Sequence, residues 1–183
     1  MDAIEECPPN LTGIIDVLRR ADTVEEPNEE IRGLTILHHG IQCADHLRRT
    51  SADDPELLAA GLLHDVGHLL APGREELHGT VGAAFVRPVL GDRVAALIEA
   101  HVPAKRYLVT TDPSYRQRLS EGSVRTLAIQ GQDMTDEELA AFRAGPHAEA
   151  ALTLRRADEM AKDPAAPVPD LAVWLPTLIT VAG

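Results

Sequence analysis

Histidine is the residue type in this chain whose spacing points to chemistry. There are eight histidines, and His38, His39, His46, His64, His68 and His78 all fall between positions 38 and 78. Imidazole moves protons near neutral pH and is a common metal ligand. His64 is followed directly by Asp65, after the apolar run Leu57 to Leu63. A buried carboxylate is costly unless it is paired or holds a metal. Neighbours on a helix point about 100° apart, so a single ion would have to lie between the two directions. Two ions use the pair better, with the Asp65 carboxylate bridging them. His68 lies one turn beyond His64 and shares its face. Taken alone, the dipeptide fits equally well a core helix with one satisfied histidine and a helix-breaking Gly67. The wider pattern favours a site. His39 lies in the helix before, His78 opens the helix after, His101 ends the next, and Asp158 follows Arg155 and Arg156 on the last long helix. Helical bundles build metal sites from such facing side chains. His38, His46 and His147 are expected at the surface or behind the ligands. Ser123 and Thr126 share a helical face, which by itself means little.

The elements that must position these residues read as helical almost throughout. Asn10 can cap a helix in which Leu11, Ile14, Ile15 and Leu18 recur at helical spacing. The acidic stretch 22–30 reads as a loop, and a second helix is predicted over 33–49. Asp54-Pro55 has the form of a cap followed by a first-turn proline. It opens a helix over 56–70 that is apolar on nearly every side and should be central. Pro72-Gly73 ends it. Further helices are predicted over 75–87, 92–101, 113–119, 123–129, 135–142 and 146–162, with Thr135 and Glu138 forming a capping box. From Asp163 the chain is proline-rich and then apolar (Leu171, Val173, Trp174, Leu175, Leu178, Ile179). That tail is expected to cross the body as an extended segment or short turns. Period-two alternation, internal repeats and low-complexity segments are all missing from the pattern, so the class is all-α.

Composition narrows the partners. A chain of 183 residues, 44% hydrophobic and 25% charged, suits one globular domain. Seventeen Lys and Arg against 29 Asp and Glu give a net charge of -12, which argues against nucleic acid or an anionic membrane as partner. A small anion would need a local cationic pocket. Phe85, Tyr107, Tyr115, Phe142 and Trp174 are too few for base-stacking platforms. No apolar run approaches the ~20 residues of a membrane span. Residues 1–9 are acidic and carry no basic leader region, and Cys7 and Cys43 make no disulfide framework, so the cytoplasm is the expected location.

At this point the chain resembles a family. His39, then His64-Asp65, then a distant Asp158 follow the H…HD…D order of the HD-domain superfamily, and His78 and His101 look like the extra histidines of its dinuclear branch. The finer resemblance, over residues 30–180, is to the PhnZ-like HD-domain oxygenases. It is carried by Leu37-His38-His39-Gly40-Ile41-Gln42-Cys43-Ala44 and by Ala60-Gly61-Leu62-Leu63-His64-Asp65-Val66-Gly67-His68. It continues in His101-Val102-Pro103-Ala104-Lys105-Arg106-Tyr107-Leu108, in Ser123-Val124-Arg125-Thr126-Leu127-Ala128-Ile129-Gln130-Gly131, and in Leu154-Arg155-Arg156-Ala157-Asp158. The resemblance implies a single HD domain over 1–183, an all-α bundle with its core at 30–162 and the tail 163–183 packed on it. It implies a mixed-valent Fe(II)/Fe(III) pair held by His39, His64, Asp65, His78, His101 and Asp158, with Asp65 bridging. It implies O2 as co-substrate and cleavage of the carbon–phosphorus bond of a 1-hydroxyphosphonate to phosphate and a carboxylic acid. His68, Lys105, Ser123, Thr126 and Arg155 would hold the phosphonate, with His68 and Lys105 counted as catalytic.

Elementary chemistry agrees with that anion set. A phosphonate dianion wants cations and hydroxyl donors at close quarters. Lys105 is four residues from His101, although Pro103 between them leaves an unbroken helix open to question. Arg155 is three residues before Asp158, on the same face. Both are expected to act on anion binding rather than on metal content. One departure stands out. The family places a Tyr and a Glu ten and seven residues before its first ligand histidine, and counting back from His39 lands on Glu29 and Arg32. On this count Glu29 would approach the iron as a carboxylate lid, or the loop would stay open, and Arg32 would disfavour a substrate with an ammonium group. With an insertion, Glu25, Glu26 or Glu30 would supply the charge instead. Two other readings use the same residues: an HD-domain phosphohydrolase in which a metal-bound hydroxide attacks a phosphate ester or nucleotide, and a non-catalytic metal- or anion-binding protein. The identity of the substrate and the oligomeric state are not legible.

Overall fold

The computed structural model describes residues 11–27 and 32–183. The cap assigned to Asn10, Cys7, and the residues Glu29 and Glu30 lie outside them. Among the described residues there is no strand, only an isolated antiparallel bridge between Glu25 and Thr35. No helix is long and apolar enough to cross a membrane.

The helices are α1 (Thr12–Ala21), α2 (Ile36–Thr50), α3 (Pro55–Leu63), α4 (Val66–Leu70), α5 (His78–Thr111), α6 (Pro113–Arg118), α7 (Glu121–Ile129), α8 (Asp136–Ala144), α9 (Ala148–Met160) and α10 (Leu175–Ala182). Their starts follow local chemistry. Thr35 caps α2 through the His38 amide, Asp54 caps α3 through the Leu57 amide with Pro55 in the first turn, and Thr135 and Glu138 make the expected capping box on α8. Asp54 and Glu56 also take both arms of Arg93 (Arg93 Nη2 to Asp54 Oδ2, 2.6 Å; Arg93 Nη1 to Glu56 Oε2, 2.8 Å), tying the start of α3 to α5.

α3 is the centre of the bundle, with every residue from Leu57 to Leu63 buried. It packs on α2 and α5, while α9 lies against α2 and α5. Gly40 makes the α2–α3 approach possible: a Cβ there would lie 2.3 Å from the Leu62 carbonyl oxygen.

Three expectations are corrected. The single helix predicted over 56–70 is broken at His64 and Asp65, which form the turn between α3 and α4. The break lets the two side chains diverge from simple helical spacing. The helices predicted over 75–87 and 92–101 are the two halves of α5, which part at Gly91, whose φ of 84° and ψ of 176° are not helical. α5 also runs on through Pro103 to Thr111, so His101 and Lys105 do lie one turn apart. The tail is not extended throughout. It forms a short 3₁₀ turn (Leu171–Trp174) and then α10, which buries Trp174, Leu175 and Leu178 against α3 and α5.

Candidate metal centre

Three helices and one turn deliver the six candidate ligands to one point. His39 comes from α2, His64 and Asp65 from the α3–α4 turn, His78 and His101 from α5, and Asp158 from α9. His39, His64, His78, His101 and Asp158 are buried. Gly67 lets α4 and the start of α5 meet, since a Cβ on it would lie 1.9 Å from the His78 carbonyl oxygen.

The Asp65 carboxylate sits between two groups. Its Oδ2 lies 3.3 Å from His39 Nε2 and 3.2 Å from His64 Nε2. Its Oδ1 lies 3.5 Å from His78 Nε2 and 3.6 Å from His101 Nε2. Asp158 Oδ1 joins the first group, 3.2 Å from His39 Nε2 and 3.7 Å from His64 Nε2. Each half is thus a pair of imidazoles facing one oxygen of a shared carboxylate.

The tautomers of the histidines are set from behind. Nδ1 of His39 donates to Ala161 O (2.7 Å), that of His64 to Gly61 O (2.9 Å), that of His101 to Ile98 O (2.5 Å), and that of His78 to Glu75 O. A carbonyl only accepts, so the proton of each neutral ring is on Nδ1 and the lone pair on Nε2 faces the centre. Two features then call for cations. His64 Nε2 is buried with no hydrogen-bond partner. The Nε2 atoms of His78 and His101 face each other at 2.8 Å, two lone pairs in contact. A donor set of neutral imidazoles and carboxylates suits first-row metals such as iron. The cluster has the donor set of a metal site.

Its electrostatics agree. Burial opposes charge on Asp158 and Asp65, yet Arg155 at the first and the surrounding histidines at both hold the carboxyls well below their usual range. Burial likewise opposes charge on His39 and His64, and the acidic groups around them nevertheless raise both well above the usual value. The pocket favours positive charge among its carboxylates.

A wall carrying Lys105, Arg155 and Lys162 adjoins the centre across a cavity of about 130 Å³. Lys105 is buried, and its Nζ donates to Thr126 Oγ1 (2.5 Å) and Gln130 Oε1 (3.1 Å). Burial, then the neighbouring Arg155, push it down to about 7. Arg155 Nε donates to Tyr115 Oη (2.7 Å), its Nη1 to Asp158, and its Nη2 to Glu159 and to Ser123 Oγ (3.5 Å). His68 stacks on His78 with ring centroids 4.1 Å apart and planes 11° apart. Burial, then His78 among the neighbouring histidines, brings it down to about 4, so it is a neutral imidazole at neutral pH.

All the residues singled out from sequence therefore meet here: His68, Lys105, Ser123, Thr126 and Arg155 line the cavity with His39, Asp65, His78, His101 and Asp158. Arg32 is exposed and does not line the cavity. Arg155 also donates to Asp158, which links the cavity wall to one of the candidate ligand carboxylates.

Sequence reasoning passed over Lys162, Glu159 and Tyr115. Lys162 Nζ donates to Ser123 Oγ (2.9 Å) and pairs with Glu159 (2.8 Å). Helical spacing carried the signal, since Glu159 and Lys162 follow Arg155 and Asp158 by four residues each. Glu26, one of the acidic residues open to choice in the loop, reaches the centre. Its ligating oxygen lies within 4.8 Å of those of His39 and Asp65, and its Oε1 is buried with no hydrogen-bond partner. Burial, opposed by His39 and aided by Asp65, pushes its carboxyl up to about 7.

Comparison with known proteins places this geometry in context. The HD domain model matches residues 33–162. A hydroxymethylphosphonate dioxygenase of Gimesia maris is 42% identical over 147 residues, covering 75% of this chain and 73% of that one. A [1-hydroxy-2-(trimethylamino)ethyl]phosphonate dioxygenase (glycine-betaine-forming) of Leisingera caerulea is 32% identical over 168 residues, covering 86% of this chain and 81% of that one.

Proposed function

The chain belongs to the HD-domain superfamily, in its PhnZ-like oxygenase family, and on that premise we propose that it is a di-iron oxygenase that uses O2 to cleave the carbon–phosphorus bond of a small 1-hydroxyphosphonate. The observation that carries this reading is the Asp65 carboxylate, with one oxygen facing His39 and His64 and the other facing His78 and His101. In this reading His39, His64 and Asp158 hold one ion, His78 and His101 the other, and Asp65 bridges.

Iron bound there supplies O2 activation and Lewis acidity. The chain supplies the rest. Lys105, Arg155, Ser123 and Thr126 bind the phosphonate dianion through charge-assisted hydrogen bonds and orient C1 towards the metal side of the cavity. His68, neutral and fixed by its stack on His78, offers a ring N–H to a phosphonate oxygen. In the net reaction the C1–P bond and one C1–H bond break. For hydroxymethylphosphonate, one O2 yields formate and phosphate with every atom accounted for.

The substrate's remote group is small in this reading. Among the described residues no Phe, Tyr or Trp lines the cavity, so a quaternary ammonium would find no aromatic face. The relative named for hydroxymethylphosphonate supports the same choice. The test is to load the protein anaerobically with iron, determine two irons per chain, and compare hydroxymethylphosphonate with its amino- and trimethylamino-substituted homologues. Higher kcat/KM for the unsubstituted compound is expected. Preference for the trimethylamino compound would defeat the substrate assignment.

A further inference from the structure

Lys162 lines the cavity, although it lies past the end of α9, where a lysine ordinarily trails into solvent. Here the backbone on both sides of it is fastened to α2. Before it, Ala161 O accepts from His39 Nδ1 (2.7 Å). After it, the buried Gln42 amide donates to Asp163 O (2.7 Å) and accepts from the Asp163 N–H (3.2 Å). The side chain aimed in this way is only 16% exposed, and its Nζ meets Glu159 Oε2 (2.8 Å) and donates to Ser123 Oγ (2.9 Å). An ammonium has three N–H donors, and the third has no partner among the described residues.

The hydroxyl beside it is constrained in turn. Ser123 Oγ accepts from Lys162 and, at 3.5 Å, from Arg155 Nη2. With both lone pairs engaged, the hydroxyl can only donate. It donates to Glu159 Oε2 (3.3 Å) and can turn to an anion in the cavity. Charge gives Lys162 a second role. Glu159 does not line the cavity, and its carboxylate holds both Arg155 and Lys162 from behind. Without Lys162, Glu159 would offset Arg155 and leave Lys105 alone to face an anion. With Lys162, the wall carries three cations against that one carboxylate, a surplus of two. Arg125 also lines the cavity, but it is exposed, and water screens its charge. We propose that Lys162 is a further substrate-binding residue, and the one that makes this subsite prefer a doubly ionised tetrahedral anion over a singly ionised one. This deepens the hydroxyphosphonate reading above and rests on it.

The test uses the iron-loaded full chain without O2 and two probes of similar shape, hydroxymethylphosphonate and hydroxymethanesulfonate, at a pH where the phosphonate is doubly ionised. Dissociation constants come from titration calorimetry, with iron per chain measured on the same samples. Wild type should bind the phosphonate more tightly. Lys162→Gln, which can still donate to Ser123 but lacks the charge, should weaken the phosphonate by about tenfold or more, the scale of a charge-assisted hydrogen bond. It should weaken the sulfonate less. Its iron should be unchanged, because Lys162 touches none of the six candidate ligands. Lys162→Arg should keep the wild-type preference. A phosphonate bound by Lys162→Gln as tightly as by wild type would overturn the proposal. So would equal losses for both anions, which would make Lys162 a brace for Ser123 and no more. Both results leave the hydroxyphosphonate reading in place. Wild type that holds two irons and binds no hydroxymethylphosphonate would overturn that reading, and this proposal with it.

Discussion

Asp65 and Asp158 differ in what their loss should do, because they sit differently among the histidines. Asp65 presents one oxygen to each imidazole pair, whereas Asp158 reaches only His39 and His64. Asp65→Ala should therefore lose both ions, and His101→Ala mainly one, measured as metal per chain after dialysis. A full pair retained in Asp65→Ala would contradict the bridge. The two cations of the anion wall also separate. Lys105 touches Thr126 and Gln130 but no metal-site residue, so Lys105→Ala should keep its iron while the apparent KM rises about tenfold or more, the scale of a charge-assisted hydrogen bond. Arg155→Lys should lower metal content as well as substrate affinity, because Asp158 depends on the guanidinium. The sign of the pH dependence follows from Lys105. Its pKa of about 7 in the free site means that the binding-competent ammonium is complete below neutrality and lost as pH rises. KM should climb above pH 7, by at most about tenfold per pH unit. Lys105→Arg, charged throughout, should flatten that climb. A profile unchanged in Lys105→Arg would assign the titration elsewhere.

At the scale of elements, the site depends on one interruption and one close approach. The α3–α4 turn sets His64 in one imidazole pair and Asp65 between the two pairs, and Gly67 lets the His78 backbone come within contact of it. Gly67→Ala should cost about 1–3 kcal/mol as an overpacked contact. Because the displaced element carries His78, metal retention should fall together with the melting temperature. A destabilised variant with its metal pair intact would show that α4 and α5 can part without moving the ligands. Helical periodicity, caps and the histidine spacing made the bundle and the convergence of the six residues legible in the sequence. The break between His64 and Asp65 was not, because a strongly apolar run reads as continuous helix whichever way its last turn bends. The separation of the two halves of α5 was legible, and it falls at Gly91, where the backbone leaves the helical region. Counting back from His39 marked Glu29 and Arg32. Glu29 lies outside the described residues; among those described, the loop carboxylate near the centre is Glu26, whose segment is tied to α2 by the Glu25–Thr35 bridge, a tertiary contact that spacing alone does not contain.

The whole molecule carries a net charge of -12 yet gathers Lys105, Arg155 and Lys162 on one cavity wall, opposite the carboxylates of the metal centre. A negatively charged protein thereby offers a local anion site without a basic surface. Metal binding is folding energy in such an arrangement, since the ligands converge only in the native state. A ligand present at 100 times its Kd adds about 2.7 kcal/mol. At about 2–4 °C per kcal/mol for a chain of this size, chelation should lower the melting temperature by roughly 5–10 °C. Adding hydroxymethylphosphonate should raise it for the metal-loaded protein more than for the chelated one. Equal shifts would place the phosphonate away from the metals.

The most direct test of the oxygenase reading is product formation under controlled O2. Iron-loaded protein mixed with hydroxymethylphosphonate in air should release phosphate and formate with one O2 consumed per turnover, and should release nothing anaerobically. Phosphate released from a phosphate ester at the same rate with and without O2, with hydroxymethylphosphonate left untouched, would contradict the account and assign the same residues to hydrolysis.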